Sequence, residues 1–362
     1  MQIDRITIKN FRCFENFEAK FNKELTVIVG SNGSGKSVLL DAVSIAIGAF
    51  LTGFDSTNSQ DITKDDAFYK RGNAVDLQPQ FPITISASGV VDGKEIVWNR
   101  GLKSANGKTI DTKDMITVSA TLQNKLRNGE KPLLPLLSYY SEWRSWAWNG
   151  KKKASKLMLF NRQMGYADCL DKTPNEKMMY QWFEKMTLQN AINGAPAPEL
   201  LAVNAAIAQC FQNLTGFMDV DVQFNLNTHE LDILYRNKSF ECEQRPISRL
   251  SDGYKNTLCM VADIAYRMAL LNPWLLDRVL SETPGIILID EIDLYLHQKS
   301  QQRIINGLMA IFPKMQFIVS TNSPLVINSV KKENLLILKE RSSIVNGTKR
   351  KTIGNYQNLY GN

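Results

Sequence analysis

Hydrophobic positions in the first fifty residues change their period twice. The alternation around Ile6 and Ile8 predicts a half-buried strand, and the apolar run 25–29 predicts a fully buried one. After the glycine-rich residues 30–35, apolar side chains recur at helical spacing from Leu39 to Phe50. The pattern therefore predicts strands, a glycine loop and a helix in direct succession.

The next stretch is more polar. Residues 53–80 lack a clear period and predict a loop or mobile insertion. Residues 81–102 alternate around Asp92-Gly93, which is a strong hairpin signal, and residues 133–140 predict a second buried strand.

The second half of the chain moves from helical to alternating patterns. Two apolar stripes between residues 160 and 215 predict helices, and residues 219–243 predict strands. A helix is expected from Lys255 to Leu271, where Asn272-Pro273 ends it. The last quarter predicts, in order, a strand at 285–290, a helix at 300–311, a strand at 316–321 and a strand at 335–339.

Strands that alternate with helices at both ends of the chain favour an α/β fold with a parallel core sheet. We expect an antiparallel β subdomain and a helical insertion beside it. The predicted segments are 1–150 for the N-terminal part of the main lobe, 151–218 for the insertion and 219–362 for the C-terminal part of the lobe.

Composition narrows the class of protein. Hydrophobic residues are 44% of the 362 and charged residues 22%, close to the average for a globular chain, and five scattered cysteines favour reduced thiols. Asp4 and Arg5 stand where a signal peptide would be apolar, and no long apolar run suggests a membrane span. A cytoplasmic protein with no membrane partner is therefore expected. Its net charge of +7 is compatible with DNA as a partner but does not establish one.

One motif carries specific chemistry. Residues 30–37 fit the phosphate-loop pattern GxxxxGK[ST] between a predicted strand and a predicted helix. Backbone N–H groups would surround the phosphates of ATP, Lys36 would reach the β- and γ-phosphates, and the Ser37 hydroxyl would bind Mg2+. The residues expected to bind ATP here are Gly30, Ser31, Asn32, Gly33, Ser34, Gly35, Lys36, Ser37 and Val38.

A pair of adjacent carboxylates ends the apolar run 285–289. Such a pair at a buried strand end favours metal or water chemistry, because burying unused charge is costly. We expect Asp290 to hold Mg2+ through water and Glu291 to act as the general base toward the attacking water.

The segment 250–256, LSDGYKN, resembles the LSGGQ signature of ABC-type ATPases, with Asp252 and Tyr254 in place of glycine and glutamine. The resemblance implies that Ser251 and Gly253 of one subunit bind the γ-phosphate held by the other subunit, so that ATP joins a homodimer or higher oligomer. Without its neighbours, the segment would be only a helix N-cap, in which Ser251 caps.

Two further stretches resemble one class of these ATPases. ITIKNFRCF, residues 6–14, is similar to the opening strand of RecF, Rad50 and SMC heads, which implies that Arg12 lies near the nucleotide. DEIDLYLH (290–297) and STNSP (320–324) resemble the AAA-15 and OLD-like branch, including the ATPases of Septu and retron antiphage operons. That branch has histidine where this chain has Asn322, which implies slow turnover.

The functional expectation is an ATPase subunit that controls a separate nuclease or toxin effector in antiphage defence. A RecF-like repair ATPase and an ATP-locked scaffold with negligible turnover remain alternatives. The interval between Ser37 and Leu250 is too short for the coiled coil of Rad50. The tryptophans of 143–148 and the lysines 151–153 could stack on nucleic acid, but packing at the nucleotide pocket or a subunit contact is favoured.

Overall fold

The chain forms two compact units in a computed structural model that describes residues 1–55, 57, 59–71, 77–142, 161–172, 175–345 and 348–355. The first unit contains Met1–Pro132, Gly285–Ile292 and Gln316–Asn362; the second contains Leu133–Pro284 and Asp293–Met315. Both units therefore combine stretches that are distant in sequence. The division into 1–150, 151–218 and 219–362 stays a prediction about organisation along the chain.

Sixteen strands lie within the described residues. In chain order they are β1 (Gln2–Phe11), β2 (Phe14–Lys20), β3 (Leu25–Val29), β4 (Phe68–Arg71), β5 (Leu77–Gln80), β6 (Ile83–Val91), β7 (Lys94–Leu102), β8 (Ile110–Asp111), β9 (Leu136–Tyr140), β10 (Met218–Asn225), β11 (Glu230–Arg236), β12 (Cys242–Pro246), β13 (Gly285–Ile289), β14 (Met315–Thr321), β15 (Leu335–Val345) and β16 (Thr348–Asn355).

Nine α-helices join these strands in the same described stretches. They are α1 (Lys36–Gly48), α2 (Lys113–Arg127), α3 (Glu176–Asn193), α4 (Pro198–Thr215), α5 (Asp252–Leu271), α6 (Val279–Glu282), α7 (Gln298–Gln301), α8 (Ile304–Ile311) and α9 (Pro324–Asn328).

The first unit contains an antiparallel sheet with the strand order β2-β1-β6-β7-β8. The expected hairpin is confirmed: β6 and β7 turn at Asp92 and Gly93, whose φ angles of 49° and 74° are left-handed. Ile6 and Ile8 are fully buried, as the alternation predicts. The antiparallel β subdomain is therefore present.

A second sheet of the first unit holds the parallel core. Its strands β16, β15, β3, β14 and β13 are neighbours in that order, and β3 pairs in parallel with both β14 and β15. The strands β3, β13 and β14 consist almost wholly of buried residues, which is why they lack alternation. This arrangement confirms the predicted α/β class.

Helix α1 follows β3 directly and is buried on nearly all sides. The indole Nε1 of Trp98 donates to the backbone oxygen of Ala46 at 2.9 Å, so β7 also packs against this helix. The stretch Lys36–Gly53 is as long and apolar as a membrane span, contrary to the sequence expectation, but most of it is buried inside the protein. A core helix explains that composition.

The second unit combines the sheet β10-β11-β12 with the long helices α3, α4 and α5. The two predicted stripes are confirmed, since Trp182 and Phe183 of α3 and Ile207 and Phe211 of α4 are buried. Helix α5 begins at Asp252, earlier than expected.

Two local expectations were wrong, and one helix was not anticipated. Residues 53–80 are not a plain loop: they include a 3-10 turn at Lys64–Asp66 and the paired strands β4 and β5. The helix expected at 300–311 is split into α7 and α8. Helix α2 was not anticipated; only Met115, Ser119, Leu122 and Gln123 of it are buried, and two of these are polar.

Candidate nucleotide-binding site

The phosphate loop connects β3 to α1, and its glycines have distinct structural roles. Gly33 and Gly35 have left-handed φ angles of 81° and 91°, which other residues adopt at a cost. A Cβ at Gly30 would lie 2.4 Å from Ser34 Oγ and 2.8 Å from the backbone oxygen of Leu338. A Cβ at Gly33 would meet no atom within 4 Å, so this side of the loop is open. The loop therefore packs closely against β15 while leaving space beside its apex.

Lys36 begins α1 and folds back over the loop. Its Nζ donates to the backbone oxygens of Gly30 at 2.8 Å and Ser31 at 3.2 Å, and the residue is only 7% exposed. The next residue, Ser37, is exposed, and the buried Ser34 hydroxyl has no hydrogen-bond partner. A buried ammonium beside a helix N-terminus and an unpartnered hydroxyl fits the binding of a polyphosphate.

The acidic pair follows β13 as expected. Asp290 is 1% exposed, whereas Glu291 is half-buried and has a left-handed φ of 47°. The Ser320 hydroxyl donates to Asp290 Oδ1 and accepts from the backbone N–H of Glu291 at 2.8 Å. The backbone oxygen of Ser320 accepts from Ile292 N at 3.0 Å. The end of β14 thus fixes the end of β13.

Asn322 reaches the phosphate loop from the same end of β14. Its Nδ2 donates to Asn32 Oδ1 at 3.0 Å, and the side chain is exposed. Ser323 caps the short helix α9 by accepting from Leu325 N at 3.2 Å. The residue at the expected switch position therefore contacts the loop, although it is an amide in place of an imidazole.

Arg12 lies in the turn between β1 and β2 with a left-handed φ of 47°. Its Nε donates to Asp66 Oδ1 at 2.8 Å, and Nη1 donates to Asp41 of α1. Burial would lower the pKa of Arg12, but its bonds to Asp41 and Asp66 outweigh burial and raise it. Asp41 connects the guanidinium to the phosphate-loop helix, a partnership that nothing in the sequence indicated.

The signature segment lies in the second unit at the start of α5. Ser251 occupies the N-cap position and is exposed, and its side chain makes no capping hydrogen bond, which contradicts the alternative in which this serine only caps the helix. A Cβ at Gly253 would lie 2.2 Å from the backbone oxygen of Tyr295, which requires glycine there. Asp252 Oδ1 accepts instead from Lys255 Nζ at 2.9 Å. The hydroxyl of Ser251 is consequently presented at the N-terminus of a long helix.

Sequence reasoning missed several residues that the fold brings to this site. Ser320 stands two positions before Asn322 in the segment STNSP, which was the only available signal. Asp41 and Asp66 had no signal in the sequence.

No group of three or more His, Cys, Asp or Glu side chains within the described stretches could hold a metal ion alone. Mg2+ commonly binds one or two protein ligands together with substrate phosphates, a pattern that Ser37 and Asp290 fit. The predicted contacts of residues 143–148 and 151–153 lie outside the described residues.

Comparison with known proteins places the chain in context. Residues 5–215, more than half of the chain, match a family described as an AAA domain. The Retron Vc95 probable ATPase of Vibrio cholerae serotype O1 biovar El Tor is 26% identical over 94% of this chain and 74% of that protein. The Retron Ec83 probable ATPase of Escherichia coli is 24% identical over 94% and 72%. Septu protein PtuA of Bacillus mycoides (strain KBAB4) is 23% identical over 93% of this chain but only 40% of that protein.

Solved structures show the same fold. An SMC head bound to the C-winged helix domain of ScpA has a TM-score of 0.53 and 16% identity, covering 98% of this chain and 97% of that one. An SMC head with an extended coiled coil from Pyrococcus furiosus has a TM-score of 0.51 and 16% identity, covering 97% and 96%. At this identity the likeness concerns the fold alone. It confirms the SMC-head-like α/β architecture that the motifs implied.

Proposed function

This chain belongs to the AAA-domain family, and from that premise we propose that it binds ATP between two copies of itself and hydrolyses it slowly. The observation that carries the proposal is the position of β14 between β3 and β13. At its end, Asn322 contacts the phosphate loop through Asn32, and Ser320 contacts both Asp290 and Glu291. One strand end therefore connects the phosphate-binding half of the site to its acidic half.

The site residues of the first unit have separate roles in ATP hydrolysis. The Nζ of Lys36 leaves the backbone oxygens of Gly30 and Ser31 and donates to the β- and γ-phosphates of ATP. The negative charge of these phosphates is also stabilised by the N-terminus of α1. Ser37 and Asp290 hold Mg2+, which neutralises charge on the phosphates. Glu291 accepts a proton from the water that attacks the γ-phosphorus, the bond to the ADP oxygen breaks, and phosphate leaves.

The second unit supplies the contact between copies. Ser251 is exposed at the N-terminus of α5, where backbone N–H groups and the helix dipole favour a phosphate. In the proposed homodimer, Ser251 and Gly253 of one copy complete the γ-phosphate site of the other. Higher oligomers would build on that dimer.

In the cell, we place the ATPase in antiphage defence as a cytoplasmic subunit that controls a separate nuclease or toxin effector. The names of the two retron relatives and of the Septu relative support this role. A RecF-like repair ATPase is the second enzyme candidate, with DNA as its partner. Asn322 favours a third candidate, a scaffold locked by ATP, because an amide cannot carry the charge of an imidazole.

The test of the core proposal uses two substitutions in the site and one control. Lys36→Ala should abolish ATP binding, because the phosphates lose their cation, while Lys94→Ala at the exposed β6–β7 turn should bind normally. Glu291→Gln should bind ATP, remain dimeric and release no phosphate. ATP binding is measured by the fluorescence of a labelled nucleotide, dimerisation by light scattering, and hydrolysis by phosphate release. Undiminished phosphate release by Glu291→Gln would remove Glu291 from the role of base.

Phage challenge separates the cellular alternatives. Cells that carry the gene with its genomic neighbours should resist phage, and Lys36→Ala should remove resistance. A scaffold would protect fully with Glu291→Gln, whereas an ATPase whose turnover matters would not. Sensitivity to DNA damage, with no change in phage resistance, would favour the repair ATPase.

A further inference from the structure

Ser320 forms hydrogen bonds with three consecutive residues of the site, although no sequence motif singles it out. It is completely buried near the end of β14, where the backbone pairs with Ile28 of β3. Its hydroxyl donates to Asp290 Oδ1 and accepts from Glu291 N at 2.8 Å, and its backbone oxygen accepts from Ile292 N at 3.0 Å. Three consecutive residues after β13 are therefore held by one residue of the neighbouring strand.

The Ser320 hydroxyl donates one hydrogen bond and accepts another, so the hydrogen bonds run in one direction. A serine has a single O–H to donate, and here the carboxylate of Asp290 takes it. The oxygen lone pairs are then available to the amide of Glu291, which completes a chain from amide to hydroxyl to carboxylate. Each bond in such a chain polarises the next and strengthens it. The orientation of Asp290 is thereby coupled to the backbone of Glu291.

The backbone of Glu291 needs such support. Its φ of 47° is left-handed, a region that non-glycine residues occupy only where the surroundings enforce it. The backbone N–H groups of Glu291 and of the next residue, Ile292, both donate hydrogen bonds to Ser320. The backbone conformation of Glu291 sets the direction of its Cα–Cβ bond. By holding that conformation, Ser320 helps to orient the carboxylate of Glu291.

We propose that Ser320 is a positioning residue for this site, whose buried hydroxyl couples the Mg2+ ligand Asp290 to the backbone of the base Glu291. This inference rests on the proposed function. Ser320 touches neither nucleotide nor water in this role. It holds the two acidic residues in one geometry, so that metal binding and proton transfer depend on the same hydrogen-bond chain.

The experiment compares Ser320→Ala with Ser320→Thr, which keeps the hydroxyl. Ser329→Ala is the control, since it removes a hydroxyl from the same region that bonds only to Val326 O among the described contacts. ATP affinity is measured by nucleotide fluorescence with and without Mg2+, and phosphate release is measured across a Mg2+ titration. Affinity without Mg2+ also reports whether each variant is folded.

We expect Ser320→Ala to bind ATP normally without Mg2+ but to lose most of the gain in affinity that Mg2+ provides. The half-saturating Mg2+ concentration should rise several-fold, and kcat should fall about 10- to 100-fold, the usual effect of losing a residue that orients a metal ligand. Ser320→Thr should recover most of both quantities, and Ser329→Ala should match the wild type.

Two results would overturn the inference while leaving the proposed function intact. One is a Ser320→Ala protein with the Mg2+ response and kcat of the wild type; the other is a Ser320→Thr protein no better than Ser320→Ala. If the wild type shows no turnover, the Mg2+ response of ATP affinity alone decides between the same outcomes. Wild-type protein that binds no ATP would overturn both proposals together.

Discussion

Each unit contains an arginine held by carboxylates, and the two arginines differ in almost every other respect. Arg12 in the first unit lies between Asp41 and Asp66 with 32% of its side chain exposed. Arg267 in the second unit is 2% exposed and bonds to Asp263, which also accepts from the Tyr140 hydroxyl at 2.7 Å. Arg12 is thus paired where solvent reaches it, whereas Arg267 is paired in the core.

The surroundings of each cation explain what it does. Arg267 Nη1 also donates to the backbone oxygens of Gly165 and Ala167, so the buried guanidinium is bonded to carboxylate and carbonyl groups. Burial would lower its pKa, but the charge of Asp263 together with the neighbouring Tyr266, Tyr140 and Cys169 outweighs burial, and the pKa is raised. Such a cluster stabilises one packing arrangement. Arg12, in contrast, remains accessible to solvent and sits beside the helix that carries Lys36.

The largest effect should come from breaking the buried pair. Asp263→Ala leaves Arg267 charged and buried without its carboxylate, which typically costs about 3–5 kcal/mol of folding free energy. Urea unfolding should show this loss, and Asp277→Ala, an exposed carboxylate of the same unit, should change stability little. A loss below about 1 kcal/mol for Asp263→Ala would contradict a core role for the pair.

Removing the partly exposed arginine should lower both stability and ligand binding. Arg12→Ala should cost about 1–3 kcal/mol of folding free energy, less than Asp263→Ala, because Arg12 is partly exposed but the carboxylate that loses it, Asp41, is buried. It also leaves the charge of Asp41 uncompensated on the phosphate-loop helix, so we expect ATP affinity to fall about tenfold, equivalent to about 1.4 kcal/mol. Nucleotide titration is the measurement. Arg5→Ala, which removes an exposed pair with Glu18, is the control and should not weaken binding.

A smaller change is expected at the switch position. Asn322→His should raise the hydrolysis rate a few-fold if the rest of the site is intact. It should also introduce a titration near pH 6.5, the ordinary pKa of histidine, which the wild type lacks at this position. Phosphate release between pH 5.5 and 8 tests both effects. An unchanged rate and pH profile would mean that another group senses the γ-phosphate or that chemistry is not rate-limiting.

A separate effect, on stability at high pH, concerns the thiols. Burial raises the pKa of Cys169, Cys210 and Cys259 in the second unit to about 12, and that of Cys13 in the first unit to about 11. These folded-state values lie above the unfolded value, so their contribution to stability is complete below about pH 9 and is lost as pH rises toward 12. Urea unfolding at pH 8 and pH 10 should show lower stability at pH 10.

Thiol labelling gives an independent check of the same contrast. At pH 8 the exposed Cys242 should react first with a disulfide reagent, while the buried thiols react only after unfolding. Equal labelling rates for Cys242 and the buried thiols would show that the second unit opens readily under native conditions.

Elements whose cause is local could be predicted well from the sequence. The phosphate loop, the hairpin at Asp92-Gly93 and the buried strand β13 each depend on a short run of residues. The 3-10 turn at Lys64–Asp66 could not be found this way. It is stabilised by a capping box between Thr63 and Asp66 and by the bond of Asp66 to Arg12, which comes from a distant turn.

The sequence by itself determined the residue types of the site: the glycines with left-handed φ, Lys36, the pair Asp290-Glu291, and an amide at position 322. Only the tertiary structure decided their partners. Asp41 and Asp66 meet Arg12, Asn322 meets Asn32, and Ser320 meets the acidic pair across strands that are far apart in the chain. The reason is physical: glycine conformations and burial periods are set by neighbours in sequence, whereas these hydrogen bonds need elements that are distant in sequence. The bonds of Asn322 and Ser320 exist only after β3, β13 and β14 have taken their order in the sheet, and those of Arg12 only after the β1–β2 turn has met α1 and the 3-10 turn.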